Sequence, residues 1–145
     1  MIYRHIESAD DIVASFPVMR ELRPHIEDAN LYRDRVQRQQ QDGYRLLGVW
    51  QDGELAGLAG YRHVENLIYG RFTYIDDLVV RKSSQRSRLG EGLIEEVRTL
   101  AKADGRTMLV LDTGLANSLA QRFYFRNGLL ARGLHFGQLL GEAGA

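Results

Sequence analysis

The apolar residues of the chain change their spacing near residue 81, and this change limits the folds open to the sequence. Before that point, the runs 44–50, 55–64 and 72–80 have the length and apolar content of strands. After it, apolar residues recur on one helical face, at Leu93, Ile94, Val97, Leu100 and Ala101. A buried-type strand is predicted at 107–111. A strand, a helix and a strand in this order favour a parallel pair with a right-handed crossover.

Turn and cap signals complete the predicted order. Asp52-Gly53 between the first two runs is typical of a hairpin, so the three runs are expected to form an antiparallel meander. The other elements are predicted as a strand at 1–6, a helix from Ser8 to Pro24, helices at 27–41 and 117–126, and a strand at 129–140. The predicted fold class is α/β, with a single-domain mixed sheet of about six strands flanked by helices. The domain is expected to span residues 1–140, with a flexible tail at 141–145.

The composition excludes several classes of protein. The 145 residues are enough for one domain with a buried core. The 19 basic side chains balance 19 acidic ones, which argues against a general nucleic-acid binder. The absence of cysteine excludes disulfides, thiolate metal sites and a cysteine nucleophile, and we predict no metal site. There is no apolar run of about 18 residues and no signal-peptide core, so we expect a cytoplasmic protein that does not bind membranes.

The segment 80–94 carries the strongest functional signal. A buried-type strand ends, a polar loop follows, and a helix is predicted to begin near Gly90. The start of a helix exposes unpaired N–H groups with partial positive charge, and a pyrophosphate binds well there. The loop adds amide, hydroxyl and guanidinium donors, and Gly90 and Gly92 allow a close approach of the ligand. A β-to-α turn that uses glycines only for packing is the simpler alternative.

A second motif lies downstream and gives the first one more weight. The pattern Q/R-x-x-G-x-G/A is matched at Gln85 and Gly90. The pattern N-x-x-A-x-x-F/L-Y-x-x-x-G is matched at Asn117, Ala120, Phe123, Tyr124 and Gly128. Together, and in this order of elements from residue 1 to about 140, the motifs resemble the GNAT superfamily of N-acetyltransferases. The resemblance implies an acyl-CoA N-acyltransferase fold with acetyl-CoA as co-substrate.

The loop departs from the family pattern at one position. Arg88 occupies the place where the family usually has its middle glycine. A left-handed backbone there would strain an arginine by about 1–2 kcal/mol. Otherwise the guanidinium is free to add a phosphate contact. Some glucosamine-phosphate acetyltransferases also lack this glycine, so we retain the predicted site.

The resemblance also implies roles for individual residues. The acetyl group and the pantetheine arm are expected between strand 78–80 and the next strand, with the N–H of Val79 or Val80 stabilising the oxyanion. Tyr124 is the expected acid for the coenzyme A sulfur, and a core aromatic is the alternative. Asn117 is expected to hold the cofactor arm or to cap its helix. The predicted cofactor-binding residues are Leu78, Val79, Val80, Gln85, Arg86, Ser87, Arg88, Leu89, Gly90, Glu91, Gly92 and Asn117.

The general base is less well defined by the sequence. Asp76 and Asp77 are the first choice, because an acidic pair helps to hold the amine in the glucosamine-phosphate acetyltransferases that the chain resembles. Adjacent strand residues are expected to point to opposite faces, so one carboxylate would face the acceptor. His63, Glu65 and a water relay without a dedicated base are the alternatives. Arg20 and Arg23 either attract an acidic substrate or form a solvated helix face.

Three functions are compatible with these patterns. The first is acetyl transfer from acetyl-CoA to a primary amine of a small polar acceptor by direct attack. The second is a non-catalytic acyl-CoA sensor or interaction domain with the same fold. The third is another nucleotide-binding module, although the P-loop ending and the Rossmann glycine pattern are both absent. A homodimer is expected from the family resemblance only.

Overall fold

The computed structural model describes residues 1–142 except the side chain of Arg86, so residues 143–145 of the predicted tail lie outside the described residues. The chain divides into two compact units, Met1–Leu111 and the part from Asp112 onward. In chain order the elements are β1 (Ile2–Ile6), α1 (Ala9–Leu22), α2 (Ala29–Gln41), β2 (Tyr44–Gln51), β3 (Glu54–Asn66), β4 (Gly70–Val80), a 3₁₀ segment (Lys82–Ser87), α3 (Leu89–Ala103), β5 (Leu109–Leu111) and α4 (Ser118–Arg126).

The first unit contains a five-stranded mixed sheet in the order β1-β2-β3-β4-β5. Strands β1 to β4 pair antiparallel, and β5 pairs parallel with β4. The helix α3 connects these two parallel strands. The predicted meander and the predicted parallel pair are therefore both confirmed.

Two hydrophobic clusters cover the two faces of the sheet. The cluster beneath α1 and α2 includes Ile12, Phe16, Tyr32, Tyr44 and Leu58. The cluster beneath α3 includes Leu47, Tyr61, Ile75, Leu93 and Val97. Side chains alternate between the faces along each strand, so neighbouring residues of β2 to β4 belong to different clusters.

Local signals in the sequence begin and end the helices. The hydroxyl of Ser8 accepts the Asp11 amide (3.1 Å) and caps α1, which continues through Pro17. The carboxylate of Asp28 caps α2 in the same way, accepting the Asn30 amide (2.6 Å). After α2, Gly43 takes a positive φ of 93° and turns the chain into β2.

The strand predicted at 129–140 is not formed. Among the described residues, the second unit contains the helix α4 and no strand. A strand requires a neighbouring edge that accepts its hydrogen bonds, and the glycines at 133 and 137 further weaken its propensity. The sheet therefore has five strands among the described residues rather than about six. Among all the described residues of the chain, no helix has the length and apolarity needed to cross a bilayer.

Candidate active site

A β-bulge in β4 organises the polar residues of the sheet. The register pairs Tyr61 with Ile75 and Gly60 with Asp77, so Asp76 is an extra residue without a partner in β3. Such a bulge alters the alternation of side chains between the two faces of the sheet. It also changes which backbone amides point towards β3 and which point towards β5.

The two carboxylates at the bulge are reached from the same face of the sheet. Asp77 contacts Tyr44, and Asp76 contacts Arg62. Tyr44 and Arg62 are directly paired across β2 and β3, so their side chains share a face. The expectation that Asp76 and Asp77 point to opposite faces is therefore wrong, because the bulge interrupts the strand alternation on which it was based.

Both oxygens of Asp77 are held by neighbouring side chains. Arg23, which follows α1, donates from Nε to Oδ1 (3.0 Å), and Tyr44 donates from its hydroxyl to Oδ2 (2.8 Å). The Tyr44 hydroxyl lies against the backbone of Gly60, where an added Cβ would be 1.8 Å from the hydroxyl oxygen. Gly60 is thus required for this contact, because a larger residue would displace the tyrosine.

Asp76 is held as firmly as its neighbour. Arg62 donates from Nε and Nη2 to the two carboxylate oxygens (2.9 and 2.8 Å), a bidentate pair. The Arg62 guanidinium also lies 5.6 Å from the centre of the Tyr74 ring. Arg23 donates from Nη2 to the backbone carbonyl of Asp76 (2.9 Å). Two arginines therefore converge on one acidic residue.

Two buried tyrosines lie beneath this cluster. Burial raises the pKa of the Tyr32 phenol to about 12. Burial, followed by the charge of Asp77, raises the pKa of Tyr44 well above its usual value. Both phenols are consequently protonated at neutral pH, and Tyr44 acts as a hydrogen-bond donor to Asp77.

The last residues of β4 have an edge that is not paired with β5. Pairing between the two strands ends at Ile75 and Leu111. Before the bulge, the Thr73 amide donates towards the β5 side, to Met108 (2.9 Å). After the bulge, the amide of Arg81, another odd-numbered residue, donates to Ala56 in β3 (2.8 Å). The alternation of an antiparallel ladder therefore turns the amide of Val80 towards the unpaired edge.

The same alternation applies to the two residues before Val80. The Leu78 amide points to the unpaired edge, whereas Val79 is opposite Leu58 and its amide points to β3. The Val80 carbonyl also points to the edge, where the side-chain nitrogen of Gln85 lies 3.5 Å away. Of the two amides predicted for the oxyanion, only that of Val80 is thus available at this edge.

The predicted phosphate loop is a short 3₁₀ segment that one residue separates from α3. Arg88 lies between them with φ 61° and ψ 21°, a left-handed conformation. Its side chain makes no capping hydrogen bond to the first amides of α3. The strain predicted for an arginine at this position is therefore present, and its exposed guanidinium is next to a helix start.

Contacts with the rest of the unit hold this loop in place. Glu21 of α1 accepts the backbone amide of Lys82 (2.9 Å), and Ser87 donates its hydroxyl to the Ser84 carbonyl. The Leu89 side chain is fully buried, so only its backbone is available to a ligand. A Cβ on Gly92 would lie 2.1 Å from the Tyr3 hydroxyl. Gly92 therefore has a packing role, which was the simpler alternative for the glycines of this turn.

The alternative bases lie away from the carboxylates. His63 is hydrogen-bonded through Nδ1 to the Thr73 hydroxyl (2.7 Å) and packs against Tyr61, in the cluster beneath α3. Burial lowers the pKa of His63, so its imidazole is neutral at pH 7. Glu65 is exposed near the end of the β3–β4 hairpin, opposite Arg71. Neither side chain is on the face that carries Asp76 and Asp77.

The second unit contains the other predicted motif. The side-chain oxygen of Asn117 accepts the Ala120 amide (3.1 Å), so Asn117 caps α4. Capping was one of the two roles predicted for this residue. Tyr124 is half-buried on α4 and packs edge-on against Phe123, with ring centres 5.5 Å apart. Its role as an acid stays a prediction.

Three residues of the cluster were missing from the sequence prediction. Tyr44, Gly60 and Arg62 bind or shape the two carboxylates. A charged residue inside an apolar strand was a usable signal for Arg62, because strand charges near a sheet centre need a partner. No comparable signal marked Tyr44, whose place beside apolar residues is typical of an ordinary core aromatic.

Known proteins share this architecture. A family model described as the Acetyltransferase (GNAT) family matches residues 9–129. YhdJ, an uncharacterized N-acetyltransferase of Bacillus subtilis (strain 168), is 25% identical over 122 residues, which cover 83% of this chain and 85% of the relative. The structure of a ribosomal-protein-alanine N-acetyltransferase from Brucella melitensis biovar Abortus 2308 matches with a TM-score of 0.81 and 16% identity, over 97% of this chain and 99% of that one. Glucosamine-6-phosphate N-acetyltransferase from Arabidopsis thaliana matches with a TM-score of 0.75 and 17% identity, over 97% and 98%.

The mixed sheet flanked by helices is thus the fold of the acyl-CoA N-acyltransferases. The chain belongs to the GNAT family of acetyltransferases, because the family model covers most of its length. It is an acetyl-CoA-dependent N-acetyltransferase.

Proposed function

We propose that the protein transfers the acetyl group of acetyl-CoA to a primary amine of a small polar acceptor by direct attack. The observation that carries the proposal is the unpaired amide edge of β4, which lies one short segment before the open start of α3. A pantetheine arm can pair with Leu78 and Val80 while the diphosphate contacts the residues from Gln85 to Gly92. One ligand would then satisfy both features.

Within this proposal, the Val80 amide stabilises the oxyanion that forms when the amine attacks the thioester. The argument is geometric, since this amide points to the unpaired edge and Val79 pairs with β3. Tyr124 is proposed as the acid that protonates the leaving sulfur. Asn117 is proposed to contact the cofactor arm through groups that the cap of α4 does not use.

Asp76 and Asp77 are proposed to act on the acceptor side of the reaction. Each carboxylate is bound by an arginine, and Asp77 also by Tyr44, so both side chains are held in one orientation. We therefore favour a role in positioning over a role as general base, and propose that the proton of the attacking amine leaves through a water relay. Replacing either residue by asparagine distinguishes the two roles, because loss of a base lowers kcat for every amine by about 10²–10⁴-fold.

Acetyl-CoA binding is the first test of the proposal. Acetyl-CoA should raise the melting temperature of the protein in a concentration-dependent manner, because a ligand that binds only the native state stabilises it. Thiol release should then be measured across a panel of primary amines. ATP and NAD serve as controls for another nucleotide-binding function. No shift at saturating acetyl-CoA would contradict the proposal, and tight binding without transfer to any amine would favour the sensor alternative.

Replacing Arg88 by glycine should have opposite effects on stability and on cofactor binding. Glycine adopts a positive φ without strain, so the free energy of unfolding should rise by about 0.5–1 kcal/mol after the entropy of the unfolded chain is included. Loss of the guanidinium should weaken coenzyme A binding about tenfold, as expected for one charge-assisted hydrogen bond. Chemical denaturation and calorimetry measure the two effects.

The matched control for this variant is Asp52→Gly. Asp52 is the other non-glycine residue with a positive φ among the described residues, at 53°, and it lies in the β2–β3 turn. This variant should be stabilised less, because aspartate tolerates a left-handed backbone better than arginine, and its coenzyme A affinity should not change. Equal affinity in Arg88→Gly and the wild type would show that Arg88 makes no phosphate contact.

We further propose a homodimer, from the family resemblance, and a cytoplasmic location, from the composition of the chain. Sedimentation at micromolar concentration tests the dimer.

A further inference from the structure

The two arginines at the bulge are fixed by carboxylates but keep donors that the protein does not use. Arg62 uses Nε and Nη2 for Asp76, and Arg23 uses Nε and Nη2 for Asp77 and for the Asp76 carbonyl. Among the described residues, Nη1 of neither arginine has a hydrogen-bond partner. The side chains of Arg23 and Arg62 are 39% and 38% exposed. Each guanidinium therefore presents an open edge to solvent.

The carboxylates, in contrast, have little capacity left for an incoming ligand. The side chains of Asp77 and Asp76 are only 16% and 23% exposed, and all four oxygens accept protein hydrogen bonds. Each carboxylate is also paired with an arginine, so it attracts a cationic acceptor only weakly. An anionic group can use the outer donors of both guanidinium groups.

We infer that Arg23 and Arg62, held in place by Asp77 and Asp76, bind an anionic group of the acceptor. The substrate class is then an amine that also carries a carboxylate or a phosphate. Both anions present the planar or clustered oxygens that a guanidinium recognises. The inference rests on the proposed acetyl transfer and adds the chemical class of the acceptor to it.

The position of the cluster in β4 is compatible with this role. Asp77 precedes Val80 by three residues, which is about 10 Å along a strand. An acceptor bound at the arginines can therefore place its amine near the Val80 edge. The preorganisation also has a physical benefit, since an arginine already fixed by a carboxylate loses less side-chain entropy when the ligand binds.

The test compares pairs of amines that differ in one charge. Glycine, β-alanine and 4-aminobutyrate are each compared with their amides, and glucosamine 6-phosphate with glucosamine. The first three pairs test a carboxylate, and the last tests a phosphate. For at least one pair, the anionic amine should have the higher kcat/KM by about tenfold or more, as expected for a charge-assisted contact.

The variant Arg62→Gln identifies the residue responsible. The ratio of kcat/KM for the anionic amine to kcat/KM for its neutral partner should fall to nearly one. The main cause should be a higher KM for the anionic amine. Arg62→Lys keeps the charge without the planar donors and should retain part of the preference. A purely structural role of Arg62 would instead lower kcat/KM for both members of a pair by the same factor.

Arg45→Gln is the matched control. Arg45 pairs with Glu7 (3.5 Å) in an exposed contact on β2, next to Tyr44 and directed to the opposite face of the sheet. This variant should leave the preference unchanged. A wild-type protein that acetylates charged and neutral amines equally well would overturn the inference while leaving the proposed function intact.

If no amine of the panel is acetylated, the same pairs are titrated calorimetrically onto the coenzyme A complex. Binding of an anionic amine that Arg62→Gln weakens about tenfold would support the inference. Failure of every anionic amine to bind would overturn it. Failure of coenzyme A itself to bind would overturn the proposed function as well.

Discussion

The variant Gly60→Ala should lower the free energy of unfolding by about 2–4 kcal/mol, the combined effect of an overpacked core and a lost buried hydrogen bond. The added Cβ would lie 1.8 Å from the Tyr44 hydroxyl oxygen and 2.4 Å from the ring carbon that carries it. Tyr44 would have to move away from Asp77, and no flexible side chain is present to absorb the change. Acetyl transfer should fall with it, because Asp77 loses one of its two partners. Urea denaturation and thiol-release assays measure the two effects.

Gly133→Ala is the control for this prediction. It makes the same chemical change at a position where an added Cβ has no atom within 4 Å and φ is not positive. Its free energy of unfolding should change by less than about 0.5 kcal/mol, as is usual for surface substitutions. Equal stability of Gly60→Ala and the wild type would show that Tyr44 is not packed against the backbone of β3.

Replacing Val80 by proline should lower kcat/KM by about 10²–10³-fold, the loss seen when one oxyanion donor is removed. Proline has no N–H, and the Val80 amide points to the edge of β4 that is not paired with β5. The ladder between β3 and β4 does not use this donor, so the sheet should be retained. Circular dichroism checks the fold, and acetyl-CoA titration separates weaker binding from slower transfer.

Val79→Pro provides the contrast. The Val79 amide points towards Leu58 in β3, so proline there removes a ladder bond in the interior of the sheet. This variant should lose more stability than Val80→Pro. If Val80→Pro kept full activity and Val79→Pro folded normally, the proposed assignment of the oxyanion donor would be incorrect.

The sequence predicted most of the fold because its signals are local. Capping by Ser8, the Asp52-Gly53 turn and the apolar face of α3 each act over a few residues, and each is present in the structure. The strand at 129–140 was wrong because an alternating pattern also needs a partner edge, which a local pattern does not specify. For Gly92 the sequence left ligand approach and packing open, and the three-dimensional position of Tyr3 shows which side chain it packs against.

The site was predicted less completely than the fold. Asp76 and Asp77 were selected from the sequence. They share a face of the sheet because of a bulge, and no residue type in the sequence predicts that bulge. The partners Arg23, Tyr44 and Arg62 are 54, 33 and 14 positions away in the chain. The contacts of Tyr44 and Arg62 depend on the strand register, and that of Arg23 depends on the packing of α1 against β4. Arg88 shows the opposite case, since the strain expected from its place in the motif is present in its φ of 61°.

The bulge also determines which backbone amides at the end of β4 point away from β3. Before Asp76, the amides of odd-numbered residues of β4 point away from β3. After Asp76, the amides of even-numbered residues do so, and this side is the outer edge. A regular strand over the same residues, without the bulge, would bring the Val79 amide, instead of that of Val80, to the outer edge. Deleting Asp76 itself would remove only the extra residue and leave the Val80 amide at the outer edge, so that variant would lose one carboxylate and keep the edge.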